Sequence, residues 1–348
     1  MHSNRNHTID LMKTILVLLM TFSHLTYYTS MQDYYNVSDF NIFVDLTSFS
    51  GFLFCFGFVS WNAYFNNPNR SSYEIIIRII KGSLKSLIAY YIAGALETFV
   101  LLKYDFSVFL NIFFFKAMPG LGEFLLSFSL LYLFILVFKP IIKKLNLFGF
   151  IIIILLTLSI SFLPCSEIHN PIIASIIGSK IGYTFPIVLY LSHFLIGVIF
   201  AKYNFVFNPM FLLFSIICSV SFYYSVYITK NIPNRFPPST LWIVGSAGII
   251  YLYYIICHFL SSKKFMHKII NYLTFPGRNT LLVLLSGNFI VYSFYNLRKL
   301  IGHENLDSFK RETFMYLIAV LTTLLLSISI YFIKCFIQKH LYSNNTYR

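Results

Sequence analysis

The chain has 348 residues, of which 57% are apolar or aromatic and 11% charged, and its mean hydropathy is +0.73. A soluble protein of this length covers its core with a charged shell of about a quarter of its residues, and 26 basic plus 12 acidic side chains are too few for that. Sparse Gly, Pro and Cys beside so much apolar content also exclude disordered, collagen-like and disulfide-scaffold classes.

The net charge of +14 is dispersed between apolar runs rather than gathered in one domain, which argues for membrane topology and against a nucleic-acid partner. Cys55, Cys165, Cys218, Cys257 and Cys335 form no close pair, so neither a metal nor a redox centre gains support.

In chain order, apolar runs of spanning length fall at 9–28, 40–65, 84–102, 121–138, 145–163, 184–201, 205–228, 239–260, 280–297 and 313–336. This predicts an all-α, polytopic membrane bundle of about ten transmembrane helices, a single domain over 1–348 with no separate soluble domain. The stretch 104–118 is apolar but interrupted by Asp105 and Lys116, and reads as interfacial or re-entrant. Asp10 and Lys13 interrupt the start of the first run and no small-residue cleavage site follows, so it reads as a retained helix rather than a cleaved signal. Placing the N-terminus in the cytoplasm puts most of the 26 basic residues inside, which predicts a multi-pass cell (inner) membrane protein with both termini cytoplasmic.

Ionisable side chains inside a bilayer are expensive and mark function or a buried partner. Within the predicted spans they are Asp10, Lys13, His24, Asp45, Glu97, Glu123, His193 and His258. Lys13 and His24 are eleven residues apart, close to three turns, so both face one way about 16 Å apart along the helix axis. Asp10 stands three residues before Lys13, at pairing distance on a helix surface. A shallow cation in line with a deep imidazole suits a long ligand, its anionic groups at the rim and its reactive end at depth; the plainer alternative is that His24 hydrogen-bonds a neighbouring helix. Asp45 either lines the same cavity or pairs with a cation of another span. His193 and His258 read as packing or interface histidines.

These residues carry a resemblance. The segment from Arg5 through Ile9, Asp10 and Lys13 to His24 resembles the first helix of the membrane-bound acyltransferase 3 family, integral membrane O-acetyltransferases of carbohydrates. Phe49-Ser50-Gly51-Phe52 is similar to its Ser-Gly-Phe signature, and Arg78-Ile79-Ile80-Lys81, in what reads as a basic loop, to its Arg-x-x-Arg pair. Leu195-Ile196-Gly197-Val198 resembles its middle-helix motif, and Pro276-Gly277-Arg278-Asn279-Thr280-Leu281 resembles the Gly-Arg-Asn-Ser-Leu segment that opens a late span. There are departures. Lys13 and Lys81 stand where arginine is common and lose the bidentate fork, Glu123-Phe124 stands near a usual Trp-Phe, and Gly287 aligns with a frequent histidine.

The resemblance implies transfer of an acyl group, most commonly acetyl from acetyl-CoA, to a hydroxyl of a cell-surface or envelope carbohydrate or lipid-linked glycan. Acetyl-CoA is then a substrate, with no permanently bound cofactor and no metal. It further implies Lys13, Arg78 and Lys81 as cations for the donor's phosphates, and Ser50 either as a hydroxyl lining the donor tunnel or as a small residue for helix packing. His24 is implied as the catalytic group, either as general base, since neutral imidazole can accept a proton, or through an acyl-histidine intermediate. Asp10 either assists catalysis or only orders the start of the helix. The proline-rich segment Asn231 to Ser239 predicts a fixed loop, whose Arg235 and Phe236 are candidates for acceptor binding. A transporter or flippase of lipid-linked sugars is the competing class, since it too has about ten spans and buried charges.

Overall fold

The computed structural model describes residues 6–29, 39–102, 105–163, 167–263 and 267–301, with single positions at 325, 329 and 332. Among the described residues the chain forms helices and no strand. In chain order they are α1 (His7–Thr29), α2 (Asp39–Ser60, continued by a π-helical turn, Trp61–Phe65), α3 (Ser72–Leu96, continued by Glu97–Leu101), α4 (Phe106–Phe113) and α5 (Glu123–Lys144). There follow α6 (Leu147–Ile160), α7 (Pro171–Ile177), α8 (Ile187–Lys202), α9 (Pro209–Thr229), α10 (Thr240–Gly245), α11 (Ala247–Ser262), α12 (His267–Leu273), α13 (Phe275–Arg278) and α14 (Thr280–Ile301).

Among the described residues, six helical segments are long and apolar enough to cross a membrane: His7–Tyr28, Phe40–Phe65, Ser72–Leu101, Glu123–Lys144, Pro209–Thr229 and Thr240–Ser262. The runs at 145–163 and 184–201 form the shorter α6 and α8, of 14 and 16 residues, and the run at 313–336 lies outside the described residues. The apolar stretch 104–118 contributes only the eight-residue α4, too short to span.

Local chemistry sets the helix starts. Asn146, Asn170, Asn208 and Ser239 accept backbone N–H bonds at the first turns of α6, α7, α9 and α10, and Pro171 and Pro209 occupy first helical positions that have no N–H to satisfy. Ser71 and Glu74 form a reciprocal capping box. That box corrects the sequence expectation for the basic segment: α3 begins at Ser72, so Arg78 and Lys81 are helical rather than in a loop.

Burial is concentric. Most of α8, including Leu189, Tyr190, Phe194 and Val198, is buried. Its partner α2 comes so close that a Cβ on Gly57 would lie 1.9 Å from the Phe194 carbonyl oxygen, and one on Gly197 would lie 2.1 Å from that of Phe54. Only glycine permits such an approach between helix backbones. By contrast α6 and α9 expose Phe148, Leu155, Leu156, Phe214, Ile217 and Val220, an apolar outer face suited to lipid. Helix α1 lies inside, with Ile9, Met12, Leu16 and Val17 fully buried against α2, α11, α13 and α14.

Candidate active site

The two ends of α1 differ in chemistry. At its start Asp10 is paired with Lys13, Nζ to Oδ1 2.8 Å, and approached by Arg278, Nε to Oδ2 3.7 Å. Arg278 reaches this position because α13 docks directly on α1. Gly277 donates its N–H to Thr14 Oγ1 at 2.9 Å, and a Cβ at Gly277 would lie 1.9 Å from the Asp10 carbonyl oxygen.

Near the other end, His24 lines a small internal cavity with Met20 of α1, Asp45, Ser48, Phe49 and Phe52 of α2, Leu121, Glu123 and Phe124 at the start of α5, Phe185 ahead of α8, and Arg235 from the loop between α9 and α10. Its volume is about 30 Å3, room for one or two waters. Its walls are fastened from several sides. Ser127 donates to the Phe185 carbonyl at 2.6 Å and Asn288 of α14 donates to the Leu121 carbonyl at 2.9 Å.

Arg235 is the cation of this cavity. One of its terminal nitrogens donates to an Asp45 carboxylate oxygen, and its guanidinium lies 4.7 Å from the Phe236 ring centroid and 5.6 Å from that of Phe185, within cation–π range. It is also within electrostatic reach of His24 and Glu123. Two polar atoms of the residues lining this cavity are buried without a hydrogen-bond partner among the described residues: Arg235 Nε, a donor, and Glu123 Oε2, an acceptor. A buried polar atom without a partner is costly, so the pair marks where a ligand's polar atoms fit.

A second cavity, of about 220 Å3, adjoins this one through the shared residues Met20, Phe52 and Phe124. It continues past Cys55, Phe56, Phe128 and Tyr132 to Lys13, Tyr64 and Thr280. The imidazole and the Lys13 ammonium thus lie on two cavities bordered by the same three side chains. At the His24 end a third cavity, of about 300 Å3, shares Glu123 with the central one. A fourth, of about 510 Å3, lies beside it and is lined by Phe236, Asn234, Lys180 and Pro237.

Of the residues singled out by sequence, the structure brings His24, Asp45 and Arg235 together and sets Lys13 on the adjoining cavity. Asp45 lines the cavity as one reading has it, and its cation is Arg235 of the α9–α10 loop rather than a residue of another span. Of the readings of Asp10, the pairing with Lys13 is present: Asp10 lies about 20 Å along α1 from His24, in the ion cluster with Lys13 and Arg278, and lines neither the central nor the Lys13 cavity. Ser50 is fully buried with an unpartnered hydroxyl and lines neither the central nor the Lys13 cavity. Arg78 and Lys81 are exposed on α3, outside both linings, although Arg78 is within electrostatic reach of Tyr64, a wall residue. Phe236 faces the neighbouring cavity, against Tyr183 and Phe185.

His193 is a packing histidine, with Nε2 at 2.8 Å from Ser246 Oγ. Sequence reasoning missed a role for Glu123 and Arg278. The one available signal for Glu123 was a carboxylate in an apolar run.

No protein-family model matches the chain, and no curated protein matches it in sequence.

Proposed function

We propose that the protein is an integral membrane acyltransferase that moves an acyl group, acetyl from acetyl-CoA, onto a hydroxyl of an envelope carbohydrate, with His24 as general base. In this reading it has ten spans and both termini in the cytoplasm, and the Lys13 cavity opens to the cytoplasmic donor. The observation that carries the proposal is that His24 and Lys13 stand on two adjoining cavities that share Met20, Phe52 and Phe124.

The chemistry fits that arrangement. The donor's phosphates meet Lys13 at the inner rim, and Arg278 keeps the Asp10 carboxylate engaged beside it. The thioester reaches the central cavity. His24 takes the proton of the acceptor hydroxyl, the oxygen attacks the thioester carbonyl, and the C–S bond breaks to release the CoA thiol, which receives the proton. Positive charge from Arg235 stabilises the oxyanion that forms on the way. Asp45 holds Arg235 in place through the ion pair.

The competing reading, a transporter or flippase of lipid-linked sugars, draws on the same series of cavities. Favouring acyl transfer is the imidazole at the central neck, beside the Arg235–Asp45 ion pair, since sugar passage needs no base there. Mass analysis of cell glycans with and without the protein, and with His24→Ala, separates the two. Acyltransfer predicts that the acyl groups vanish in both the deletion and the variant; a flippase predicts acylation undiminished in the variant.

A further inference from the structure

The 300 Å3 cavity at the His24 end is built from the α4–α5 loop, Lys116 to Gly120, the start of α5 at Glu123, and the segment from Ile168 to Thr184. Its wall is held in place: Glu97 accepts the Gly120 N–H at 2.7 Å. Two side chains in its lining have buried atoms without partners. Thr184 is only 3% exposed and its hydroxyl bonds to nothing among the described residues. The free Glu123 Oε2 has the same status, and it belongs to the one residue shared with the His24 cavity.

A carboxylate acceptor and a hydroxyl, set among the apolar Pro119, Ile181 and Tyr183, match a ring that presents hydroxyls at its edge and C–H bonds on its face. An acyl chain has nothing to offer either polar atom. Lys116 at the exposed rim disfavours a cationic amine.

Resting on the acyltransferase reading, we infer that this cavity is the acceptor subsite and takes a neutral or anionic glycosyl unit. Glu123 and Thr184 bind its hydroxyls and pass the reacting one to His24. The donor and acceptor therefore enter from opposite ends of the bundle and meet at the neck.

The test uses the full-length protein in nanodiscs, acetyl-CoA as donor, and envelope glycan stripped of its acyl groups by mild base as acceptor. Thr184→Val is expected to raise the half-saturating glycan concentration about tenfold, the equivalent of one lost hydrogen bond, while that for acetyl-CoA stays constant. Glu123→Gln, which keeps the shape, gives a comparable rise. A second arm measures binding of the same glycan to the His24→Ala protein, without acetyl-CoA, and its loss on adding Thr184→Val.

Acylation with unchanged glycan dependence in both variants overturns the subsite and leaves the acyltransferase reading standing. Equal shifts for donor and glycan also overturn it, since they mark a general disturbance. Absence of acylation by the wild type, together with glycan binding that Thr184→Val weakens, removes the acyltransferase and keeps the subsite.

Discussion

The two ends of α1 carry similar numbers of charges and use them differently. At the Lys13 end every carboxylate oxygen of Asp10 has a cation: Lys13 at Oδ1 and Arg278 at Oδ2. At the His24 end Asp45 is matched by Arg235, but Glu123 Oε2 and Arg235 Nε are left over in a small enclosed space beside an imidazole. At each end one arginine Nε is buried without a hydrogen-bond partner, Arg278 Nε lying 3.7 Å from Asp10 Oδ2, but at the His24 end the unsatisfied donor and acceptor line a cavity together and leave capacity for a ligand. On the proposed reading the difference separates an anchor between helices from the candidate reaction centre along one helix, and each can be attacked on its own.

The largest effect at the anchor is expected from Gly277→Ala. Its methyl group would overlap the Asp10 carbonyl oxygen, so α13 has to part from α1 at a cost of about 2–3 kcal/mol, read as a lower thermal midpoint in detergent. An unchanged midpoint would mean that this contact is looser than the geometry states. At the reaction centre Arg235→Ala strands the Asp45 carboxylate. Since these side chains keep 30% and 25% of their surface exposed, the loss is about 2 kcal/mol, below the ~3–5 kcal/mol of a fully buried pair. Adding Asp45→Asn should recover most of that stability without restoring activity; recovery of both would deny Arg235 its part in the chemistry.

Lys13→Met sharpens the contrast. Asp10 keeps Arg278, so the fold survives, and half-saturation by acetyl-CoA rises about tenfold, roughly 1.4 kcal/mol. A loss of folding with no change in donor dependence would make Lys13 purely structural. The smallest effect belongs to Thr14→Val, which removes the acceptor for the Gly277 N–H and costs about 1 kcal/mol, again in thermal midpoint, with the maximal rate untouched.

Sequence legibility follows the range of the interactions. Hydropathy located α1, α2, α5, α9 and α11 because a bilayer demands apolar length of each segment separately. It placed the start of α3 too late, since the Ser71–Glu74 capping box winds a helix through polar and basic residues that hydropathy ignores. The Asp10–Lys13 pair was legible as a three-residue step. Arg278 beside Asp10 and Arg235 beside Asp45 were not, because those partners are brought together only by packing. Glu123 was visible as a charge in an apolar run, but nothing in the sequence sets the first turn of α5 beside α1. Gly57 gave no more signal than any glycine and Gly277 stood out only within the Pro276–Leu281 motif; the need for glycine at both arises from backbones almost in contact.

The central claim is that the His24 ring is the base of an acyl transfer whose donor arrives from the Lys13 side. Its most direct test is the rate of acetyl transfer by purified His24→Ala protein at saturating acetyl-CoA and glycan, with acetyl-CoA affinity measured in parallel. A fall of at least about a hundredfold, the usual worth of a positioned base, with donor affinity unchanged is the expected result. Transfer at the wild-type rate would contradict the account.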